Sequence, residues 1–417
     1  MSLIEELKWR GMLQDIMPGT EEQLNKEATT AYIGFDPTAE SLHIGSLVPI
    51  LLLYHLQQAG HKPIALVGGA TGMVGDPSGK SEERNLLNEE TLQKNIAGVR
   101  SQLEKYLDFN PARENAAEIV NNYDWFKGLG FIDFLRDVGK HITVNYMMSK
   151  DSVKKRIEGE TGISYTEFAY QLMQGYDFYW LYTHKNCKLQ MGGSDQWGNI
   201  TAGIDLIRRK EAAHVHGLTV PLVTRADGQK FGKSVDGAVW LSPERTTPYA
   251  FFQYWLNTDD QDVINFLKVF SFKSRDEIEA LEKAHSENPG AREAHRALAR
   301  ELTSLVHSPE TCVRVEAAAK ALFGQGELSE LDEATLTAAL SELPRTTVKR
   351  SEPMPTWVDL LAATGVVDSK SAARRIVKES GAYLNNAKVA AEDFAPSESD
   401  FLCGKYAVLR KGKRDLA

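Results

Sequence analysis

Two short segments carry the residue types needed to handle a polyphosphate. His43-Ile44-Gly45-Ser46 follows the apolar run Ala31-Tyr32-Ile33-Gly34-Phe35. An imidazole and a glycine that permits close approach then stand at a strand-to-helix turn, where a nucleotide phosphate can dock. Lys230-Phe231-Gly232-Lys233-Ser234 lies in a polar loop far along the chain. It offers two ammonium groups and a hydroxyl that can close over a polyphosphate. Neither segment is specific alone. Their order, separation and strand context together describe activation by ATP without a P-loop.

A third constellation is set by spacing. Tyr170, Gln174 and Asp177 recur at intervals of four and three, which puts them on one helix face. Periodicity by itself leaves Tyr170 open to a core reading and Asp177 to a solvent one.

The elements that must position these groups are legible as alternation. Residues 31–35, 63–67, 119–121, 189–191 and 219–223 read as strands. Residues 47–58, 90–107, 131–137, 165–182 and 196–209 read as helices. Strands separated by helices imply an α/β fold, a Rossmann-like doubly wound parallel sheet. From 247 to 323 the pattern is all-helical, which predicts a small helical domain. An acidic and then proline-bearing linker follows over 324–355. Residues 346–417 carry 12 Lys and Arg against 9 Asp and Glu, so a basic module ends a chain whose net charge is −9. Within it, residues 369–378 form a basic amphipathic helix pattern, and 381–386 read as strand and turn. This charge contrast points to a polyanionic partner handled by one module.

Composition narrows the class. The 417 residues are 42% hydrophobic and 25% charged, ordinary for a soluble globular protein. The net negative charge argues against indiscriminate binding of nucleic acid but permits a local basic surface. Cys187, Cys312 and Cys403 are scattered without metal or disulfide spacing, so a reducing, cytoplasmic setting is expected. No signal peptide pattern or membrane-length apolar run is visible, and no membrane partner is expected.

The extended segment Tyr32-Ile33-Gly34-Phe35-Asp36-Pro37-Thr38-Ala39-Glu40-Ser41-Leu42-His43-Ile44-Gly45 closely resembles the bacterial tyrosyl-tRNA synthetases, within the class I aminoacyl-tRNA synthetases. So do Gly68-Gly69-Ala70-Thr71-Gly72, Gly75-Asp76-Pro77-Ser78-Gly79-Lys80 and Gly192-Gly193-Ser194-Asp195-Gln196-Trp197-Gly198-Asn199. The C-terminal part looks like the S-four type of RNA-binding α+β domain, and the resemblance covers essentially the whole chain. It implies a two-step reaction: tyrosine and ATP give tyrosyl-adenylate and pyrophosphate, and the tyrosyl group then passes to tRNA(Tyr). It also implies a catalytic domain over 1–235 with a dimerisation insertion at about 125–165, a helical domain over 236–323, the 324–355 linker, an RNA-binding domain over 356–417, and a homodimer.

The residue roles follow from the same resemblance. Thr38 and His43 match positions that hold the γ-phosphate in the transition state, and Lys80, Arg84, Lys230 and Lys233 gather on the pyrophosphate. Tyr32 and Asp177 take the phenol hydroxyl; Asp76, Tyr170 and Gln174 take the ammonium group; Asn122 and Gln190 support them from behind. Gly193, Asp195 and Gln196 match positions at the ribose and the reacting carbonyl of the adenylate, and Gly34, Asp36, Gly45 and Ser234 complete the ATP-binding set. Arg374, Arg375, Lys411, Lys413 and Arg414 are the candidate RNA contacts. Mg²⁺ is expected to accompany ATP, with no dedicated protein metal site. The carboxylate of the amino acid is already a nucleophile, so positioning and charge stabilisation of pyrophosphate should carry the first step. Two positions depart from the pattern: Ser46 stands where many relatives have a second His, and Ile33 where many have a Cys. Three rival readings are a tryptophan-specific enzyme, an RNA-binding protein on a synthetase scaffold, and a nucleotidyltransferase. ATP–pyrophosphate exchange with a panel of amino acids separates them.

Overall fold

The computed structural model describes residues 2–78, 88–159, 162–226, 231–234, 237–322, 327–340, 343–349, 354–412 and 415–416. The chain divides into two compact units, Met1–Ser242 with Asp259–Ala294, and Pro243–Thr258 with His295–Ala417.

The first unit is built on a six-stranded sheet. Its strands are β1 (Asp15–Ile16), β2 (Thr30–Phe35), β3 (Lys62–Val67), β4 (Glu118–Asn121), β5 (Cys187–Gly193) and β6 (His216–Val220), in spatial order β1-β6-β5-β2-β3-β4. All pairings among β2 to β6 are parallel, and only β1 joins antiparallel, at the β6 edge. The chain therefore runs outward from β2 to β4 and returns to β5 on the other side of β2. That reversal opens a crevice beyond the carboxyl ends of β2 and β5, where doubly wound sheets bind ligands. The strand expected at 219–223 ends instead at Val220, because Pro221 has no N–H to extend the ladder.

Each helix around the crevice is cut by local chemistry. Leu47–Gln58 is buried almost all round, as suits a helix packed in the interior. Tyr165–Lys185 starts at Ser164, whose hydroxyl accepts the Glu167 amide, and stops at Asn186 in the left-handed region with φ 51°. Trp197–Glu211 packs on it through two glycines. A Cβ on Gly203 would stand 3.0 Å from Phe178, and one on Gly175 would stand 3.4 Å from the Gly203 backbone. That close crossing brings Gln174 alongside the start of the next helix, where Asn199 Nδ2 reaches its Oε1 at 3.0 Å. The helices Val263–Phe270 and Arg275–Glu287 also belong to the first unit, so the helical stretch read from sequence contributes to both.

The second unit gathers the helices Pro248–Leu256, Pro309–Leu322 and Glu333–Leu340 and a C-terminal α+β module. The module has helices Trp357–Ala363 and Lys370–Lys378 over a four-stranded antiparallel sheet ordered Ala387–Lys388, Ala382–Leu384, Leu409–Lys411, Asp415–Leu416. Trp357, Leu361, Ala373, Ile376, Leu384 and Leu409 form its core. The basic amphipathic pattern is realised: Ala373, Ile376 and Val377 face inward, while Arg374, Arg375 and Lys378 stay exposed.

Candidate active site

A cleft of about 640 Å³ opens at the carboxyl ends of β2 and β5. Tyr32, Gly34, Asp36, Thr38, His43 and Gly45 line it from the first half of the unit; Asp76, Tyr170, Gln174, Asp177, Gln190, Gly193, Asp195 and Gln196 line it from the rest. Ile33 and Ser46, the two departures, line it as well. Asn122 lies directly behind, fully buried.

One end of the cleft is a buried acid with its donors. Asp177 is 2% exposed. Its Oδ1 accepts from Trp125 Nε1 at 2.9 Å and its Oδ2 from Asn122 Nδ2 at 3.1 Å. Burial drives its pKa up to about 8, against the lowering effect of those two donors, and the Asp36 charge pushes the same way as burial. Beside it, Tyr32 on β2 stands in register with Gln190 on β5, so both side chains share one face of the sheet. The Tyr32 hydroxyl, on a residue 1% exposed, and the Gln190 Oε1 are buried without a hydrogen-bond partner among the described residues. Native interiors seldom leave such groups unmatched, so the pair marks a place shaped for a polar ligand atom.

The middle of the cleft is rich in acceptors. Tyr170 donates its hydroxyl to Asp36 Oδ2 at 2.8 Å, and Thr71 donates to Asp36 Oδ1 at 2.7 Å. Asn122 Nδ2 reaches Thr71 Oγ1 at 3.0 Å, so a continuous chain of bonds joins Tyr170 to Asp177. Gly68 is glycine for this reason: a Cβ there would stand 2.1 Å from Asp36 Oδ1 and 2.4 Å from Thr71 Oγ1. Asp76 accepts from Gln196 Nε2 at 2.7 Å, and Gln196 Oε1 lies 3.3 Å from Gln174 Nε2. Burial raises the Tyr170 pKa well above its ordinary value, with Asp36 and Asp76 adding to the effect, so its phenol stays protonated and able to donate.

The outer end carries the two motifs. His43 is exposed to the cleft, and its Nδ1 accepts the Gly45 amide at 3.0 Å. Desolvation lowers its pKa, so the ring is neutral near pH 7 and carries its proton on Nε2. Gly45 must be glycine, because a Cβ would lie 2.8 Å from His43 Cε1. The two motifs are stitched together by backbone: Ile44 N donates to Val239 O at 3.0 Å, Leu241 N to Leu42 O at 2.9 Å, and Val239 N to Gly232 O at 3.0 Å. Gly232 has φ +82°, a conformation side chains resist, and Phe231 stacks on Phe270 with ring centroids 5.1 Å apart. Lys233 and Ser234 form a two-residue strand paired with Gly237–Ala238. Lys80, Arg84 and Lys230 lie outside the described residues.

Thr71, Trp125 and Asn199 are site residues that spacing did not single out. Thr71 and Asn199 sit within motifs quoted from the sequence, whereas nothing local marks Trp125. In the C-terminal module, Arg374 and Arg375 are exposed, with loose pairings of 3.8 Å to Glu392 and Glu379, and Lys411 is half-buried. Lys413 and Arg414 lie outside the described residues.

Comparisons with known proteins agree on one group. Residues 24–324 match the model of the class I tRNA synthetases for tryptophan and tyrosine, and residues 335–417 match the tyrosine--tRNA ligase SYY-like C-terminal domain. The chain is 56% identical to the tyrosine--tRNA ligase of Streptomyces griseus over 100% of its own length and 97% of that protein's. It is 53% identical to that of Bacteroides thetaiotaomicron, covering 100% and 98%. The fold matches a C-terminally truncated mitochondrial tyrosyl-tRNA synthetase from Aspergillus nidulans with a TM-score of 0.69 at 29% identity, over 77% of this chain and 94% of that one.

Proposed function

This chain belongs to the class I tRNA synthetases of the tryptophan and tyrosine type, and it ligates tyrosine to tRNA(Tyr) at the expense of ATP; on that premise we propose how its cleft divides the work. The phenol of tyrosine enters between Tyr32 and Asp177. Asn122 and Gln190 support that end, and Asp76, Tyr170 and Gln174 receive the ammonium group. Gly34 and Gly193 leave room for the adenylate, Asp195 and Gln196 meet its ribose and carbonyl, and Asp36 holds Tyr170 in place.

The observation that carries this reading is the Tyr32 hydroxyl, without a partner among the described residues, beside the Asp177 carboxyl group. A phenol hydroxyl both donates and accepts, so it can satisfy Tyr32 and bond Asp177 at once. An indole N–H donates but cannot accept, so it could not take the Tyr32 hydroxyl proton and bond Asp177 at once, which favours tyrosine over tryptophan.

The tyrosine carboxylate attacks the α-phosphorus of ATP, and the bond to the β-phosphate oxygen breaks to release pyrophosphate. Charge therefore grows on the leaving group. Neutral His43 donates from Nε2 and Thr38 from its hydroxyl, while Lys80, Arg84, Lys230, Lys233 and Ser234 supply charge and donors along the polyphosphate. Mg²⁺ arrives as the counterion of ATP. In the second step the ribose hydroxyl of the terminal adenosine of tRNA displaces AMP.

The catalytic role is assigned to the first unit, Met1–Ser242 with Asp259–Ala294; the expected helical domain at 236–323 is divided between the two units, and the expected linker at 324–355 contains the helix Glu333–Leu340 of the second. Residues 356–417 bind tRNA, with Arg374, Arg375, Lys411, Lys413 and Arg414 on phosphates. The insertion at about 125–165 forms a homodimer surface, supported by exposed Phe131 (64%), Ile132 (70%), Val144 (58%) and Met148 (43%). A cytoplasmic setting is supported by three free cysteines, and no helix among the described residues is long and apolar enough to cross a membrane. ATP–pyrophosphate exchange with tyrosine, tryptophan and phenylalanine tests the assignment. Exchange driven by tyrosine alone is expected, and equal rates with tryptophan would refute it.

A further inference from the structure

The cleft holds a closed ring of four polar side chains. Gln196 Nε2 lies 2.7 Å from Asp76 Oδ2, Gln174 Nε2 lies 3.3 Å from Gln196 Oε1, and Asn199 Nδ2 lies 3.0 Å from Gln174 Oε1. Asn199 Nδ2 closes the ring at 3.5 Å from Asp76 Oδ1, and stands 3.3 Å from Gln196 Oε1 and 3.4 Å from Ser78 Oγ. Asn199 is buried on the first turn of the Trp197–Glu211 helix.

An ionised carboxylate only accepts hydrogen bonds. Asp76 therefore obliges Gln196 to present its NH₂ end, which turns the Gln196 carbonyl toward Gln174 and Asn199. They must answer with N–H, so the Gln174 carbonyl is left to accept from Asn199. One acceptor-only group thus dictates the orientation of three amides, and Asn199 is the donor that holds the last of them. Without it, the Gln174 amide keeps only its 3.3 Å bond to Gln196 Oε1, and a Gln174 that flips would aim N–H donors at whatever the cleft holds.

We propose that Asn199 is a positioning residue for the amino group of the substrate: it keeps Gln174 presenting its carbonyl oxygen, beside Asp76, to an ammonium ion. The inference rests on the reading of this part of the cleft as the ammonium site. It requires that Asn199 act on ligands that carry an α-ammonium group and be indifferent to those that lack one.

The test compares tyrosine with 3-(4-hydroxyphenyl)propionate, which keeps the phenol and carboxylate and lacks the amine. Their affinities are read as KM and as inhibition constant in ATP–pyrophosphate exchange by the full-length enzyme. Asn199→Ala should weaken tyrosine about tenfold, the scale of one hydrogen bond serving a charged group, and leave the propionate within about twofold. Asn199→Leu keeps the approximate volume and removes the donor without adding a charge, so it should show the same selectivity if the alanine variant fails to fold. Equal weakening of both ligands, or of neither, overturns the role of Asn199. Asp76→Asn separates this from the reading beneath it. If that variant also fails to discriminate between the two ligands, the ammonium site itself is wrongly assigned; if it discriminates and the Asn199 variants do not, only the present inference falls.

Discussion

Tyr32→Phe should stabilise the free protein while weakening its substrate. The Tyr32 ring is buried against Phe178, with centroids 5.5 Å apart, and phenylalanine preserves that packing. What the substitution removes is a buried hydroxyl with no partner among the described residues. A desolvated, unsatisfied polar group costs about 1–3 kcal/mol, so its removal should raise the stability of the ligand-free enzyme by roughly 1–2 kcal/mol. In the tyrosine complex the same hydroxyl gains a partner, worth about 0.5–1.5 kcal/mol, so tyrosine binding should weaken ~2- to 12-fold. Phenylalanine has no hydroxyl to lose a bond, and its exchange rate should hold or rise slightly. The ratio of tyrosine to phenylalanine exchange should fall about 2- to 12-fold and not vanish, because Asp177 remains. Two assays decide it: the unfolding temperature with and without tyrosine, and exchange kinetics with both amino acids. The opposite signs of the two effects are the signature. A destabilised free protein, or an unchanged substrate ratio, would refute the argument.

Asp177 should impose a pH dependence on stability. Its folded pKa of about 8 lies above the ordinary 3.8, so between those values the native state holds a proton that the unfolded chain has released. Stability then falls as pH rises through that window and levels off above it; urea titrations of Asp177→Asn against wild type at pH 5 and pH 8 should show a smaller loss in the variant. Lys233→Ala should reduce the rate of adenylate formation at least tenfold with little change in tyrosine affinity, since its contact develops on the departing pyrophosphate; parallel losses in single-turnover rate and tyrosine binding would remove it from that role. Deleting residues from Pro355 onward should leave pyrophosphate exchange nearly intact and abolish most tRNA charging. Arg374→Ala with Arg375→Ala should weaken tRNA binding and flatten its dependence on salt; filter binding across a salt series reads both. Ile132→Glu should shift the protein toward monomer in sedimentation, and a wild-type monomer at micromolar concentration would sink the dimer.

Much of this protein was legible in the chain, because the relevant information is local. The 3.6-residue period put Tyr170, Gln174 and Asp177 on one helix face. Alternating strands and helices specified a parallel sheet, and the wording around Asp36 and His43 pointed to the family. Glycine positions were readable as motif letters, but their reasons were not. Gly68 is small because Asp36 and Thr71 meet in front of it, and Gly45 because its amide is bonded by the His43 ring. The Gly45 reason is local, two residues apart, but the Gly68 reason exists only once β2 lies beside β3. The same holds for Asp36, matched to ATP by resemblance, whose two oxygens receive Thr71 and Tyr170 from distant parts of the chain. Asn199 read only as the last letter of the Gly192–Asn199 motif until two glycines let its helix approach Gln174. Periodicity says which way a side chain faces. Which groups it then meets, and whether a hydroxyl such as that of Tyr32 is left waiting for a ligand, is decided by contacts between segments that no local pattern records.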